Sequence, residues 1–142
     1  MSFVASNPEF VTCPERIRAI IEQIASEPAT KAIWFIGSRA NGRETPGSDW
    51  DILVFSRDEV KPVPARCDGL DVLRVSPSGE VLLEGMSAHL IQPFSRFSWV
   101  QTAKTRASYT GQKFLQGEAR RGKNQPVELS PCEAILLYEK TD

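Results

Sequence analysis

The sequence has few cysteines and no long apolar run, and each shortage excludes a class of protein. Its three cysteines, Cys13, Cys67 and Cys132, are far apart and form no CxxC pair, which argues against a disulfide framework and a zinc site. No stretch approaches the roughly 20 apolar residues of a membrane span. The first residues lack the basic segment and apolar run of a secretion signal. We therefore expect a cytoplasmic protein that does not contact a membrane.

The chain also lacks an excess of charge of either sign. It has 17 lysines and arginines against 18 acidic residues, a formal net charge of −1. Such a chain has no overall attraction to nucleic acids, so contact with DNA or RNA would need a local basic patch. The one candidate is a basic stretch for which a solvated helix surface is the simpler interpretation. It comprises Lys104, Arg106, Lys113, Arg120, Arg121 and Lys123.

Apolar periodicity predicts one leading helix and three strands. Residues 12–15 have the form of a capping box, four isoleucines then recur at helical spacing, and Pro28 ends the helix. Short apolar runs predict strands at 32–36, 51–55 and 70–75. The later chain is less distinctive: 80–83 suits a short helix or a strand, 88–92 a strand, 98–121 a helix, and 134–138 a strand or a last helical turn.

These elements predict an α+β fold, with a small mixed sheet and flanking helices, the leading helix lying on one face. A chain of 142 residues is the right size for one domain with one core. We expect a single domain over residues 1–142, with its core at about 12–93 and a C-terminal extension at about 94–142.

The residues that point to chemistry lie between Gly37 and Asp51. Gly37 and Ser38 follow the first predicted strand directly. A glycine there lets the backbone approach a phosphate closely, and the serine adds a hydroxyl. Asp49 and Asp51 are two residues apart at the start of the next strand, so their side chains point the same way.

Two carboxylates on one face repel each other unless a cation lies between them. Mg²⁺ or Mn²⁺ is the natural partner, because these ions prefer oxygen ligands and also bind phosphate. Asp71 opens the third predicted strand and completes a three-carboxylate cluster if that strand lies beside the second. Asp68 is an alternative third ligand, but it precedes Gly69 in a predicted turn, so we prefer Asp71. Either half of the pattern alone is more often an ordinary turn or helix cap.

Together these residues resemble the DNA polymerase β-like nucleotidyltransferase superfamily. That family's pattern is Gly-Ser, a spacer of about ten residues, Asp-hydrophobic-Asp, and a third aspartate on a later strand. The Gly-Ser-Arg-Ala-x-Gly form with Ser-Asp-x-Asp is most similar to the small bacterial minimal nucleotidyltransferases. The resemblance covers about residues 32–75 and implies a palm-like core. Trp50 departs from it, because an aliphatic residue is usual between the two aspartates.

The resemblance implies transfer of a nucleoside monophosphate, with ATP as the expected donor, to a hydroxyl group. In that scheme Gly37 and Ser38 hold the triphosphate, and Asp49 and Asp51 bind Mg²⁺ or Mn²⁺. Asp71 binds the metal ion that activates the acceptor hydroxyl and is the candidate proton acceptor. By charge and position, Arg39 and Arg43 are expected to meet phosphate oxygens, and Ser48 completes the predicted nucleotide-binding set.

The acceptor is not specified by these residues. Larger family members carry a second domain for the acceptor, for which this chain has little room, so we expect a partner protein to be the acceptor or to supply it. One such arrangement resembles the antitoxin nucleotidyltransferases that add AMP to a helical toxin of the HEPN type. Two alternatives stay open: an aminoglycoside-type transferase that modifies a small molecule, and an inactive nucleotide-binding regulator that keeps the fold.

Overall fold

The computed structural model describes residues 2–3, 13–42, 47–111 and 130–140. In these residues nine strands form one sheet, accompanied by two α-helices and two short 3₁₀-helices. The strands are β1 (Ser2–Phe3), β2 (Thr30–Ile36), β3 (Trp50–Ser56), β4 (Leu70–Val75), β5 (Glu80–Leu83), β6 (Gln92–Pro93), β7 (Val100–Ala103), β8 (Arg106–Gly111) and β9 (Ser130–Glu139). The α-helices are α1 (Glu15–Ser26) and α2 (Gly37–Ala40), and the 3₁₀-helices span Ala88–Leu90 and Phe94–Phe97.

The sheet is mixed, as predicted. Its strand order is β6-β5-β4-β3-β2-β9-β8-β7, with β1 added to β9. Among the described strands β3 and β4 run parallel, and the other pairs are antiparallel. The strands predicted at 32–36, 51–55 and 70–75 correspond to β2, β3 and β4.

The leading helix is also confirmed, and it packs on one face of the sheet. Ile17, Ile21 and Ile24 of α1 share one buried cluster with Phe35 and Ile52 of the sheet. The predicted capping box is wrong: α1 begins at Glu15, its N-cap is Pro14, and no described side chain caps it. Thr12 itself lies outside the described residues, and α1 ends at Ser26, before Pro28. Flanking helices are otherwise few: in the described chain α1 is accompanied by the four-residue α2. No α-helix in those residues is long and apolar enough to cross a membrane.

The helix predicted over 98–121 is wrong where the structure describes it. Residues 100–103 and 106–111 form the antiparallel strands β7 and β8. Along β8 the buried Ala107 and Tyr109 alternate with more exposed neighbours, and a two-residue period belongs to a strand. Residues 112–121 of that prediction lie outside the described residues.

The other later elements are now defined. Residues 80–83 and 134–138 belong to strands, and residues 88–90 form a 3₁₀-helix instead of the predicted strand, which starts only at Gln92. Pro93 and the tight turn before it leave room for only a two-residue pairing with β5. The stretch expected as a C-terminal extension supplies β9, which lies between β2 and β8 in the same sheet.

The face opposite α1 is covered mainly by aromatic side chains. Trp34 and Leu53 of the sheet are buried there together with Phe97 and Tyr109. Trp99 packs against this cluster, 5.1 Å from the Trp34 ring between centroids and 6.0 Å from the Tyr109 ring. The two faces of the sheet therefore carry separate cores.

A network of four charged side chains ties the end of α1 to β4 and to the residues after β5. Glu84, whose side chain is only 2% exposed, accepts from Arg66 Nε at 3.1 Å and from Arg74 Nε at 2.7 Å. Both arginines also bind Glu27. Burial alone would raise the pKa of Glu27, but the hydrogen bonds from the two arginines hold that pKa below its usual range. The network fixes the end of α1 against the sheet.

Replacing Glu84 with glutamine is expected to lower the free energy of unfolding by about 2–4 kcal/mol, because two partly buried guanidinium groups lose their shared carboxylate. Urea unfolding of both proteins measures this. Glu133→Gln is the control, since its ion pair with Arg106 is exposed, 61% and 48% by side chain, and should cost less than about 1 kcal/mol. Equal losses for the two variants would contradict the structural role of Glu84.

Candidate active site

The parallel pairing of β3 with β4 brings Asp51 and Asp71 side by side. The two residues are direct partners in the strand register, so their side chains leave the same face of the sheet. Trp50 and Ile52 point into the α1 cluster, which places both aspartates on the opposite face. The two carboxyl groups are hydrogen bonded to each other, and the charge of Asp49 acts on both.

This crowding changes the acidity of both groups. Burial, the negative charge of Asp71 and that of Asp49 together raise the pKa of Asp51 to about 8. Burial and the charge of Asp49 also raise the pKa of Asp71, against the effect of its hydrogen bond to Asp51. Without a cation, the pair therefore keeps a proton between its oxygens near neutral pH.

The chemistry of these side chains fits a hard divalent cation. Within the described part of the chain, no three acidic, histidine or cysteine side chains stand around one point as a ready metal site. Asp51 and Asp71 supply two neighbouring carboxylates, and the negative charge of Asp49 acts on both. A dication would replace that shared proton and relieve the repulsion that raises both pKa values. Asp71 is the register partner of Asp51, whereas Asp68 lies in the turn before β4.

Gly37 lies directly against Asp51. Its φ of +83° belongs to the left-handed region, and a Cβ at this position would overlap the Asp51 carboxylate, 2.8 Å from its Cγ. Ile36, just before the glycine, is the register partner of Asp51 on β3. The Gly37-Ser38 turn and the paired aspartates therefore form one continuous site, at the end of three adjacent strands.

Arg39 connects the two ends of the loop between α2 and β3. Its Nε donates to the carbonyl oxygen of Ser48 at 3.0 Å, and its guanidinium carbon lies 4.5 Å from the centre of the Trp50 ring. Trp50 in turn stacks on Phe35, with ring centroids 5.7 Å apart. The tryptophan that departed from the family pattern thus supports a cation–π contact of Arg39. Arg43 lies outside the described residues.

Two residues of this site were missed from the sequence. Tyr109 of β8 accepts a hydrogen bond from the Gly37 N–H, at 2.9 Å. The side chain of Asn41 donates to the Gly37 carbonyl at 2.8 Å and also pairs with the backbone of Glu133 on β9. Asn41 stood in the motif as a spacer position, and Tyr109 lay inside a stretch predicted as helix. Asn41 is only four residues from Gly37, whereas no local pattern links Tyr109 to Gly37 across 72 residues.

A mixed sheet that brings a Gly-Ser turn against paired aspartates is the arrangement expected of a nucleotidyl-transfer protein. A family model described as a nucleotidyltransferase domain matches residues 15–140. The chain therefore belongs to the nucleotidyltransferase domain family, within the DNA polymerase β-like superfamily. The match extends well beyond the motif region at 32–75 and includes β9. No curated protein and no solved structure matches the chain.

Proposed function

We propose that this protein is a metal-dependent nucleotidyltransferase of the cytoplasm, which moves AMP from ATP to a hydroxyl group. The observation that carries the proposal is the close approach of Gly37 to Asp51, whose register partner on β4 is Asp71. It puts a phosphate-approach position beside the paired carboxylates of Asp51 and Asp71. Membership of the family supports the reaction class.

In this proposal each residue of the site has a separate task. The Gly37-Ser38 turn receives the triphosphate, and the Ser38 hydroxyl donates to a phosphate oxygen. Asp49, Asp51 and Asp71 would hold Mg²⁺ or Mn²⁺, which supplies positive charge to the triphosphate and lowers the pKa of the acceptor hydroxyl. Asp71 accepts the hydroxyl proton as the new oxygen–phosphorus bond forms and pyrophosphate leaves.

Arg39 stays a predicted phosphate contact, and its observed contacts suggest a further task. Because its guanidinium is engaged by Ser48 and Trp50, we assign it to holding the loop that carries Asp49. Ser48 then contributes through its backbone carbonyl. Arg43 stays a predicted phosphate contact.

Incubation with each α-labelled NTP and Mg²⁺, with and without cell lysate, tests the reaction and sorts the acceptors. We expect transfer of label from ATP, onto a protein band if the acceptor is a partner of the helical HEPN type. Label on a small molecule would indicate the aminoglycoside-type alternative. Binding of ATP without transfer in any lysate would favour the inactive regulator. Undiminished transfer by the double variant Asp49→Ala, Asp51→Ala would contradict the proposed site.

A further inference from the structure

Tyr109 reaches the site from a distant part of the chain, 72 residues after Gly37. Its side chain is buried, with 6% exposed, and its ring packs against Phe97 and Trp99 at centroid distances of 6.4 and 6.0 Å. A buried ring between two others has little freedom to move. The hydroxyl oxygen is therefore held at a fixed place, and the Gly37 N–H donates to it there.

The peptide groups of Gly37 are held from two sides. The Tyr109 hydroxyl, on β8, accepts a hydrogen bond from the Gly37 N–H. On the carbonyl side, Asn41 Nδ2 donates to the Gly37 oxygen, and the same amide group pairs with both backbone groups of Glu133 on β9. The turn that begins α2 is thus attached to β8 and β9, in addition to its covalent link to β2.

We propose that Tyr109 is a positioning residue for nucleotide binding, which holds the Gly37-Ser38 turn against Asp51. This inference rests on the proposed function. Gly37 has no side chain and a left-handed φ, so its orientation depends on what its peptide groups contact. Because the Gly37 N–H donates to Tyr109, this hydrogen bond fixes the turn. Ser38 then makes the contacts to phosphate, and the bond between Gly37 and Tyr109 sets the orientation of Ser38.

Tyr109→Phe is the test, since it keeps the ring and removes only the hydroxyl. We expect the KM for ATP in the transfer assay, and the Kd for ATP with Mg²⁺ in the Asp49→Ala background, to rise about tenfold, the usual cost of leaving a partly buried N–H without its partner. The kcat at saturating ATP should change less than about twofold. A purely structural role would lower the melting temperature and leave KM unchanged, so this split separates the two.

Tyr138→Phe is the matched control. Tyr138 is 1% exposed and belongs to the cluster on the α1 face. Its hydroxyl has no hydrogen-bond partner among the described residues. The same chemical change should therefore leave KM for ATP at the wild-type value.

Asn41→Asp is a second test variant. Its carboxylate still accepts from the Glu133 N–H but no longer donates to the Gly37 carbonyl, so this variant should also raise the KM for ATP.

Hydrogen exchange at the Gly37 amide, followed by NMR without nucleotide, separates this inference from the proposed function. Faster exchange in Tyr109→Phe than in the wild type, together with the raised KM, supports the inference. Unchanged exchange, or ATP binding as tight as or tighter than in the wild type, overturns it while the proposed function stands. Failure of the wild-type protein to bind or transfer any NTP would instead overturn the proposed function, whatever the amide shows.

Discussion

Asp51→Asn is expected to lower nucleotidyl transfer on the order of a thousandfold or more, and also to stabilise the metal-free protein at alkaline pH. The first effect follows from the proposed role, because an amide cannot replace a carboxylate that neutralises a divalent cation beside the triphosphate. The second follows from the crowding of Asp51 by burial, by Asp71 and by Asp49, which raises its pKa. A substitution that lowers activity and raises stability is typical of a functional residue whose role costs the protein stability.

The sign of the pH dependence follows from that raised pKa. Asp51 has a pKa of about 8 in the folded protein against an ordinary value of 3.8, so the folded state holds the proton more tightly. Its contribution to stability is full below pH ~4 and is lost as the pH rises through 8. Asparagine resembles the protonated acid and does not titrate. The variant should therefore match the wild type near pH 4 and exceed it at pH 9, by on the order of 2 kcal/mol.

Urea unfolding in EDTA between pH 4 and 9, beside the transfer assay, measures both effects. Asp58→Asn is the control, since Asp58 is exposed and lies beyond the other end of β3, and it should alter neither. Added Mg²⁺ should stabilise the wild type and have little effect on Asp51→Asn. Wild-type transfer rates in the variant, or an equal loss of stability with pH in both proteins, would refute the assignment.

The half of the sheet around the site was predictable because its signals are local. β2, β3 and β4 are short apolar runs with glycines or aspartates at their ends, and such runs identify buried strands without knowledge of their partners. Asp71 was expected to join Asp49 and Asp51 if the third strand lay beside the second. The parallel register of Asp51 with Asp71 meets that condition.

The other half depends on contacts that no local pattern specifies. Tyr109 and Asn41 meet their partners across 72 and 92 residues, and a sequence window gives no sign of such pairs. The apolar positions of residues 98–121 predicted a helix, but the structure pairs β8 with β7 and with β9 as strands. Trp50 was recognised as unusual, but its contacts with Arg39 and Phe35 depend on the fold.

Gly37→Ala is expected to damage stability and activity together. A Cβ at this position would overlap the Asp51 carboxylate, and the φ of +83° is itself unfavourable for alanine. Asp51 or the turn must move, so we expect the free energy of unfolding to fall by about 2–4 kcal/mol. Transfer should fall at least about a hundredfold, because the turn and the carboxylate no longer keep their places.

Gly79→Ala separates the two causes. Gly79 has a nearly identical φ of +87°, but no atom lies within 4 Å of a Cβ built there, and it stands in the turn between β4 and β5. It should therefore show the backbone cost alone, about 1 kcal/mol, with normal transfer. If Gly37→Ala lost no more stability than Gly79→Ala and kept its activity, the close approach of Gly37 to Asp51 would have no part in the reaction. A larger loss in both properties would show that the same contact which excludes a side chain also sets the geometry of transfer.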